Sequence, residues 1–456
     1  MWGYAIGALG QVLPISFFNT YAFQYYVYTV GLDPLLTSIG IFLGLFVFAV
    51  CSPIFGVLVD NRPVGKFGKR RPFIIASIPM LLILMVLAWT PPLCPPDNSY
   101  YWPTAIYFWV IAVMLDINQA MFVSTYLSML AEQCTNDANR VKVASLQGLF
   151  FLLATVLSIF IPIILQAQLP DPQNPLWSTP SGAFLVRNLP IVGICFGLVG
   201  MLTFLTVFYS TDESFFPKQT GPKPPRSPVH VILKQVFTPF ADKNYRNWMG
   251  NTFFFNISLR ILTIVLMPYL TFVLLLQENQ FIGFVGAVIP FAGLGYLLWV
   301  RLIKKMGLKK SYGTALQVSI IISFLTAIFI IPMPTGLRLG LGVCILGVAI
   351  ACLAGGYLFP NPIVSVLIDN APEELRRRVT DQGKGISGAY FGLFIFTYNI
   401  AQAVANLILG FIFTGGNARN PTIIALGLPL AGVILVIAYW FLRRVAINQR
   451  KDACPS

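Results

Sequence analysis

The sequence predicts an all-α membrane protein with twelve transmembrane helices, arranged as two six-helix pseudo-repeats with both termini cytoplasmic. Three observations predict it. Of the 456 residues, 57% are hydrophobic and only 10% charged, against about 25% charged in a soluble domain. A chain this apolar cannot cover a water-soluble globule with polar groups, so lipid must solvate much of its surface. The apolar residues also fall into twelve runs close to the roughly 20 residues that a bilayer requires. The basic residues, finally, gather in the connections on one side.

The runs are 4–30, 35–60, 73–91, 103–132, 142–167, 188–209, 247–275, 280–302, 313–333, 339–368, 385–414 and 421–443. Two stretches between them are clearly polar. Residues 169–188 are rich in Pro, Gln and Ser, and residues 210–246 carry Lys218, Lys223, Arg226, Pro224, Pro225 and Pro228. The second stretch divides the chain into an N-terminal bundle (1–209), a cytoplasmic linker (210–246) and a C-terminal bundle with a short tail (247–456). A short surface helix is expected in the linker near 230–237.

With the N-terminus inside, 26 of the 30 Lys and Arg lie in inner segments. Arg187, Arg338 and Arg419 lie in outer loops, and Arg260 lies inside a span. Basic loops are retained on the cytoplasmic side, so both termini are expected there and the protein in the cell membrane. The same placement accounts for the formal charge of +14 without nucleic acid as a partner.

The two halves repeat. Gly56 precedes Gly68-Lys69-Arg70-Arg71 by 12 residues, and Gly295 precedes Gly307-Leu308-Lys309-Lys310 by the same 12. Glu132 lies 8 residues before Arg140, and Asp369 lies 8 before Arg377. The offsets between the copies are 239 and 237 residues. Duplicated bundles of this kind place a substrate site near the midplane, where the halves meet.

Several chemistries are excluded. The seven cysteines show no CxxC spacing, and the single histidine, His230, falls in the linker. Neither a disulfide framework, a metal site nor His-based catalysis is expected. No GxxxxGK[ST] loop occurs, so ATP does not drive this chain by itself. The expectation is a protein that is not an enzyme and holds no cofactor, whose partners are a small-molecule substrate, a coupling proton and the lipid bilayer. A monomer is the default.

Among the charged residues only Asp116 and Arg260 fall near the middle of a span, in spans four and seven. A charge at that depth is costly and normally faces a cavity or a partner. Coming from opposite halves, the two are expected to face one central cavity. Burial away from water disfavours the charged form of a carboxyl group, which suits Asp116 to carrying a proton or accepting bonds from substrate hydroxyls. The bland reading is a static ion pair. Span seven carries Thr252, Asn256, Arg260 and Thr263 on one helical face. Span one offers Gln11, Asn19 and Tyr26, span four adds Gln119, and span eleven carries Phe391, Phe394, Tyr398, Asn399 and Gln402. Amides and aromatic rings suit a polyhydroxylated ligand. Plain interhelical hydrogen bonds, about 0.6 kcal/mol each, are the alternative. At the inner surface Asp60, Arg70, Arg71, Glu132, Arg140, Asp369 and Arg377 read either as a charge network that gates the transporter or as topology-setting charge.

These residues carry a family resemblance. The stretch from Tyr4 through Gly7 and Gly10-Gln11, then Tyr25-Tyr26, Val30-Gly31-Leu32 and Pro53-Ile54-Phe55-Gly56, resembles the first two helices of the glycoside–pentoside–hexuronide cation symporters. This is the melibiose permease-like family of the major facilitator superfamily. Met114-Leu115-Asp116-Ile117 is similar to its helix-four acid, and Phe391-Gly392-Leu393-Phe394 to its helix-eleven start. Phe67-Gly68-Lys69-Arg70-Arg71-Pro72-Phe73-Ile74 is similar to the sucrose–proton symporters, as is the 16-residue interval from Asp116 to Glu132. The resemblance implies a major facilitator fold and transport of a sugar or glycoside by alternating access. In sodium-using members acids on helices one and two hold the cation. Here those positions are Val12, Phe48 and Ser52, the helix-eleven lysine is Asn399, and the helix-four tryptophan is Ala120. Val and Phe offer no oxygen ligands, so proton coupling through Asp116 is expected rather than sodium coupling. The alternatives are an uncoupled sugar facilitator and a transporter of an amphiphile such as a lysolipid.

Overall fold

The computed structural model describes residues 2–60, 62, 65, 67–133, 137–211, 213, 237–277, 280–373 and 386–446. Within them the fold is helical, with one isolated bridge between Gly65 and Gly68 and no sheet. The spans are α1 (Gly7–Gln24), α2 (Pro34–Asp60), α3 (Arg71–Ala88), α4 (Trp102–Gln133), α5 (Asp137–Gln166) and α6 (Pro180–Ser210). They continue with α7 (Lys243–Pro268), α8 (Gln280–Met306), α9 (Leu308–Leu325), α10 (Thr335–Leu358, resuming as Pro360–Asp369), α11 (Ile386–Phe413) and α12 (Pro421–Arg444). Eleven of these are long and apolar enough to cross a bilayer. The twelfth, α1, is made more polar by Gln11, Asn19 and Gln24. Leu152, Leu294 and Phe411 are 61%, 66% and 65% exposed, an arrangement that lipid stabilises and water does not.

Caps explain where the helices start. Thr179 accepts from the N–H of Gly182 at 3.2 Å with Pro180 at the first helical position, so α6 begins well before the apolar run at 188. Ser181, Arg187 and Asn188 had hidden that start among polar residues. Asp242 caps α7 through the N–H of Asn244, and Asn420 caps α12 through that of Thr422. The tenth run, read as continuous over 339–368, is interrupted at Phe359, because Pro360 and Pro362 withdraw N–H groups from the ladder. The expected linker helix near 230–237 lies almost wholly outside the described residues.

The duplication is visible in backbone geometry. Gly68 and Gly307, 239 positions apart, both hold positive φ, 83° and 81°, in the turns entering α3 and α9. Only glycine adopts that conformation without strain. Two further features repeat. Both α1 and α7 end in a π-helical turn, Tyr25–Val30 and Tyr269–Val273. From these turns the Tyr26 hydroxyl donates to the carbonyl of Ala88, the last residue of α3, at 2.8 Å, and that of Tyr269 to Thr326, just after α9, at 2.9 Å.

The chain divides into two units. Unit 1 comprises Met1–Val229, Gln277–Phe281 and Asn406–Ala418, and unit 2 comprises His230–Leu276, Ile282–Ala405 and Arg419–Ser456. The final residues of α11 thus group with unit 1, which chain order alone does not indicate. In unit 1 the buried Trp89 meets the rings of Phe17, Tyr21 and Tyr25. In unit 2 a core cluster gathers Tyr245, Trp248, Tyr312, Phe359 and Tyr390.

Candidate functional site

In unit 1 the site is built on α2 and α4, which lie side by side in parallel. Trp109 Nε1 donates to the Leu36 carbonyl at 2.8 Å, and the Ser124 hydroxyl donates to the Ser52 carbonyl at 2.7 Å. Between these ties the helices touch at glycines. A β-carbon on Gly40 would fall 2.6 Å from the Phe108 ring, and one on Gly44 would fall 2.3 Å from Oδ2 of Asp116. Asp116 is 6% exposed. Its carboxylate is thus seated against the backbone of α2 by the absence of a side chain there. One turn on, Gln119 Nε2 donates to the Gln11 carbonyl at 3.4 Å, joining α4 to α1. Gln11 and Asn19 are half-buried. Tyr26 is fully buried, its ring 4.1 Å from that of Phe108 and its hydroxyl given to Ala88. That is a packing role. Of the positions aligned with the sodium ligands, Val12 is buried and the Ser52 hydroxyl lies 3.2 Å from that of Ser124.

In unit 2 the polar stripe of α7 is buried: Thr252, Asn256 and Arg260 are 3%, 4% and 5% exposed. Asn256 Nδ2 donates to the Thr252 carbonyl at 2.7 Å, and the Thr263 hydroxyl donates to Leu259 at 2.8 Å. The neighbouring face of α7 does structural work instead. Asn251 donates to Ala438 on α12 at 2.8 Å and accepts from the Tyr312 hydroxyl on α9 at 3.1 Å, and Ser258 donates to Ala431 at 2.9 Å. From α11, Tyr398 shares a side-chain hydrogen bond with Gln402 and lies within electrostatic range of Arg260. Asn399, beside them, is 7% exposed and donates to the Ile395 carbonyl at 2.8 Å. Phe391 and Phe394 pack against the core cluster of the unit. A cavity lined by Ser258, Ser323 and Cys352 opens on a different face of α7.

In unit 1 the turn before α3 is held by a residue not singled out in the sequence. Glu213, 4% exposed, accepts from the backbone N–H groups of Lys69 and Arg70, the latter at 3.1 Å. Its carboxylate occupies the space a side chain on Gly68 would need. Arg70 Nη1 donates to the Ser128 carbonyl at 2.6 Å, and the Arg71 guanidinium sits 4.3 Å from the Phe208 ring centre. These two arginines therefore join the ends of α3, α4 and α6. Asp369 is exposed. The side chains of Asp60, Glu132 and Arg140, and the whole of Arg377, lie outside the described residues. Glu213 was hidden because it follows α6, more than a hundred residues from the turn it caps, within a stretch that reads as linker.

Comparison with known proteins places this geometry. Residues 3–423 match the family model described as MFS/sugar transport protein. The chain is 23% identical over 455 residues to the uncharacterized symporter YnaJ of Bacillus subtilis (strain 168), covering 98% of this chain and 90% of that one. A shorter match, 36% identical over 93 residues, pairs 20% of this chain with 17% of the sodium-dependent lysophosphatidylcholine symporter 1-B of Danio rerio. Among solved structures, the nucleoside transporter NupG aligns with a TM-score of 0.61 at 14% identity over 97% of this chain and 98% of that one. A D-xylose-proton symporter aligns with a TM-score of 0.60 at 13% identity over 95% of each.

Proposed function

Because this chain belongs to the MFS/sugar transport protein family, and so is a membrane transporter rather than an enzyme, we propose that it moves a sugar or glycoside by alternating access, coupled to protons through Asp116. The observation that carries this reading is the seating of Asp116. Of the 16 acids in the chain it is the one near the middle of a span, and a glycine on the neighbouring helix makes room for its carboxylate. An acid kept at such depth at such cost is retained for function. Gln119, one turn from it, and Gln11 supply hydrogen-bonding groups in unit 1, and Asn19 adds another farther along the helix that carries Gln11. In unit 2 Arg260, Asn256, Tyr398, Asn399 and Gln402 supply donors and an aromatic face for hydroxyl-rich substrate. The inner-surface residues Arg70 and Arg71 hold helix ends in register. The protein sits in the cell membrane as a monomer, with both termini in the cytoplasm.

The test is uptake into proteoliposomes of a panel of radiolabelled sugars and glycosides, with and without an inward proton gradient. Gradient-driven accumulation in the parent protein, abolished in Asp116→Asn, is the expected result. Accumulation driven equally well in Asp116→Asn would overturn the assignment to this acid. Uptake that never exceeds equilibration would leave a facilitator.

One observation favours a second substrate class. The 93-residue likeness to a lysophosphatidylcholine symporter keeps an amphiphile in view, and lysolipid belongs in the same panel.

A further inference from the structure

The last residues of α11 and the turn after it, Asn406–Ala418, belong to unit 1. They meet that unit where α1 passes into α2. Counting spans, the connections 1–2, 3–4 and 11–12 all lie on one face of the membrane, opposite the basic loops. Asp33 stands at the centre of this face and is 3% exposed. Its Oδ1 accepts from the Leu35 N–H at 2.8 Å, which caps the start of α2. Its Oδ2 accepts from the Thr414 hydroxyl at 2.9 Å. With the Thr414 proton given to the carboxylate, Tyr100 becomes the donor in the 3.1 Å contact between its hydroxyl and that of Thr414. The result is a directional chain, Tyr100 to Thr414 to Asp33. Beside it Tyr28 donates to the Ala418 carbonyl at 2.6 Å. One turn before Thr414, Gly410 meets Ser38 so closely that a β-carbon would lie 2.6 Å from Ser38 Cβ.

We infer that Asp33, Thr414 and Tyr100 form a latch that holds the outer end of α11 against the start of α2 and releases it in each transport cycle. Three features distinguish a latch from a permanent joint. The contact at Gly410 is glycine against serine and can part without repacking, so the apolar contact that opening has to break is that of the neighbouring Phe413 ring, 6.1 Å from the ring of Phe23. Both ends of the chain keep a partner when it opens. Asp33 keeps Leu35, and Tyr100 is 50% exposed and meets water. Finally, the bond that closes the latch is charge-assisted, strong enough to favour the closed arrangement, with the Tyr28–Ala418 hydrogen bond beside it as a neutral second tie. A transporter must expose its site to each side in turn, so an end of a spanning helix tied in this way has to let go. The inference rests on the transporter reading but not on the substrate or on Asp116.

Ser38 reports on the latch, because it is fully buried beneath Gly410. In the full chain carrying Ser38→Cys, alkylation by N-ethylmaleimide is followed peptide by peptide by mass spectrometry, with native Cys352 of unit 2, 6% exposed, as the internal standard. Adding Thr414→Val removes the hydroxyl and should speed alkylation at position 38 about tenfold or more, the effect of losing a hydrogen bond to a charged group. Cys352 should be unaffected, and Thr414→Ser should restore slow alkylation. Tyr100→Phe, at an exposed position that folding tolerates, should give a smaller rise in the same direction. An unchanged rate at position 38 in both Thr414→Val and Tyr100→Phe overturns the latch. If Thr414→Val accelerates both cysteines, Tyr100→Phe decides, since an unchanged rate there also overturns it. None of these readouts uses substrate or a proton gradient, so the failure of this inference and of the transport reading are separate.

Discussion

Gly44 lies against Asp116 so closely that a β-carbon at position 44 would sit 2.3 Å from the carboxylate Oδ2 and 3.2 Å from the carbonyl oxygen of Ala112. One of those neighbours is backbone and cannot swing away, so Gly44→Ala must move the carboxylate or part α2 from α4. Overpacking of this kind costs about 1–3 kcal/mol. We expect Gly44→Ala to lower the thermal midpoint of the purified protein and to cut transport more than it cuts yield. Gly56 on the same helix, with nothing within 4 Å of a built β-carbon, is the control. Gly56→Ala should be neutral, and equal behaviour of the two variants would show that the contact at Gly44 is unimportant.

Asp116→Asn keeps the volume and removes the titratable proton. We expect it to lose accumulation driven by a proton gradient while retaining exchange of labelled for unlabelled substrate across the membrane, since exchange needs no net proton movement. Loss of exchange together with accumulation, in a protein of parental thermal stability, would mean that Asp116 binds substrate and is not a dedicated proton carrier.

How far the sequence carried the fold can be judged residue by residue. Glycine at 68 and 307 was legible as a repeat because both turns need positive φ, and that need survives when nearly everything around it has changed. Asp116 and Arg260 stand out in the sequence because charge at membrane depth is rare, and both side chains are buried. For Tyr26, helical spacing with Gln11 and Asn19 placed it on a candidate site face. The π-helical turn at Tyr25–Val30 instead sends its hydroxyl to Ala88, and periodicity at 3.6 residues does not foresee a π turn. Glu213 and the pairing of Asp33 with Thr414 were invisible for another reason. Each is a single contact between distant segments, made by a residue type that polar loops carry in any case, and no local pattern marks its partner.

Tyr398 shares a side-chain hydrogen bond with Gln402, another candidate site residue of unit 2. Tyr398→Phe removes the hydroxyl and keeps the ring. If the hydroxyl positions Gln402 or meets substrate, KM should rise by roughly fivefold, the effect of one neutral hydrogen bond near 1 kcal/mol, with little change in the maximal rate. Tyr398→Ala should cost more, because ring stacking on substrate goes with it. A KM unchanged in Tyr398→Phe but raised in Tyr398→Ala would reduce the residue to an apolar platform.

The contact between Glu213 and the turn before α3 predicts a stability effect separable from transport chemistry. The carboxylate satisfies the N–H groups of Lys69 and Arg70 at a helix start, where the backbone dipole favours negative charge. Hydrogen bonds to a charged group are worth about 1.5–3 kcal/mol each, and Glu213→Ala leaves two donors beside a buried Arg70 without their acceptor. We expect a fall of several degrees in the thermal midpoint of the purified protein. Glu213→Gln, which retains one acceptor oxygen, should fall by less. Arg71→Ala, which loses the stacking on Phe208 at 4.3 Å, should fall least, consistent with about 0.5–2 kcal/mol for a half-buried cation over a ring. The ranking is the sensitive part of the prediction. If Arg71→Ala were the most damaging of the three, this end of unit 1 would be held by cation stacking rather than by the Glu213 cap.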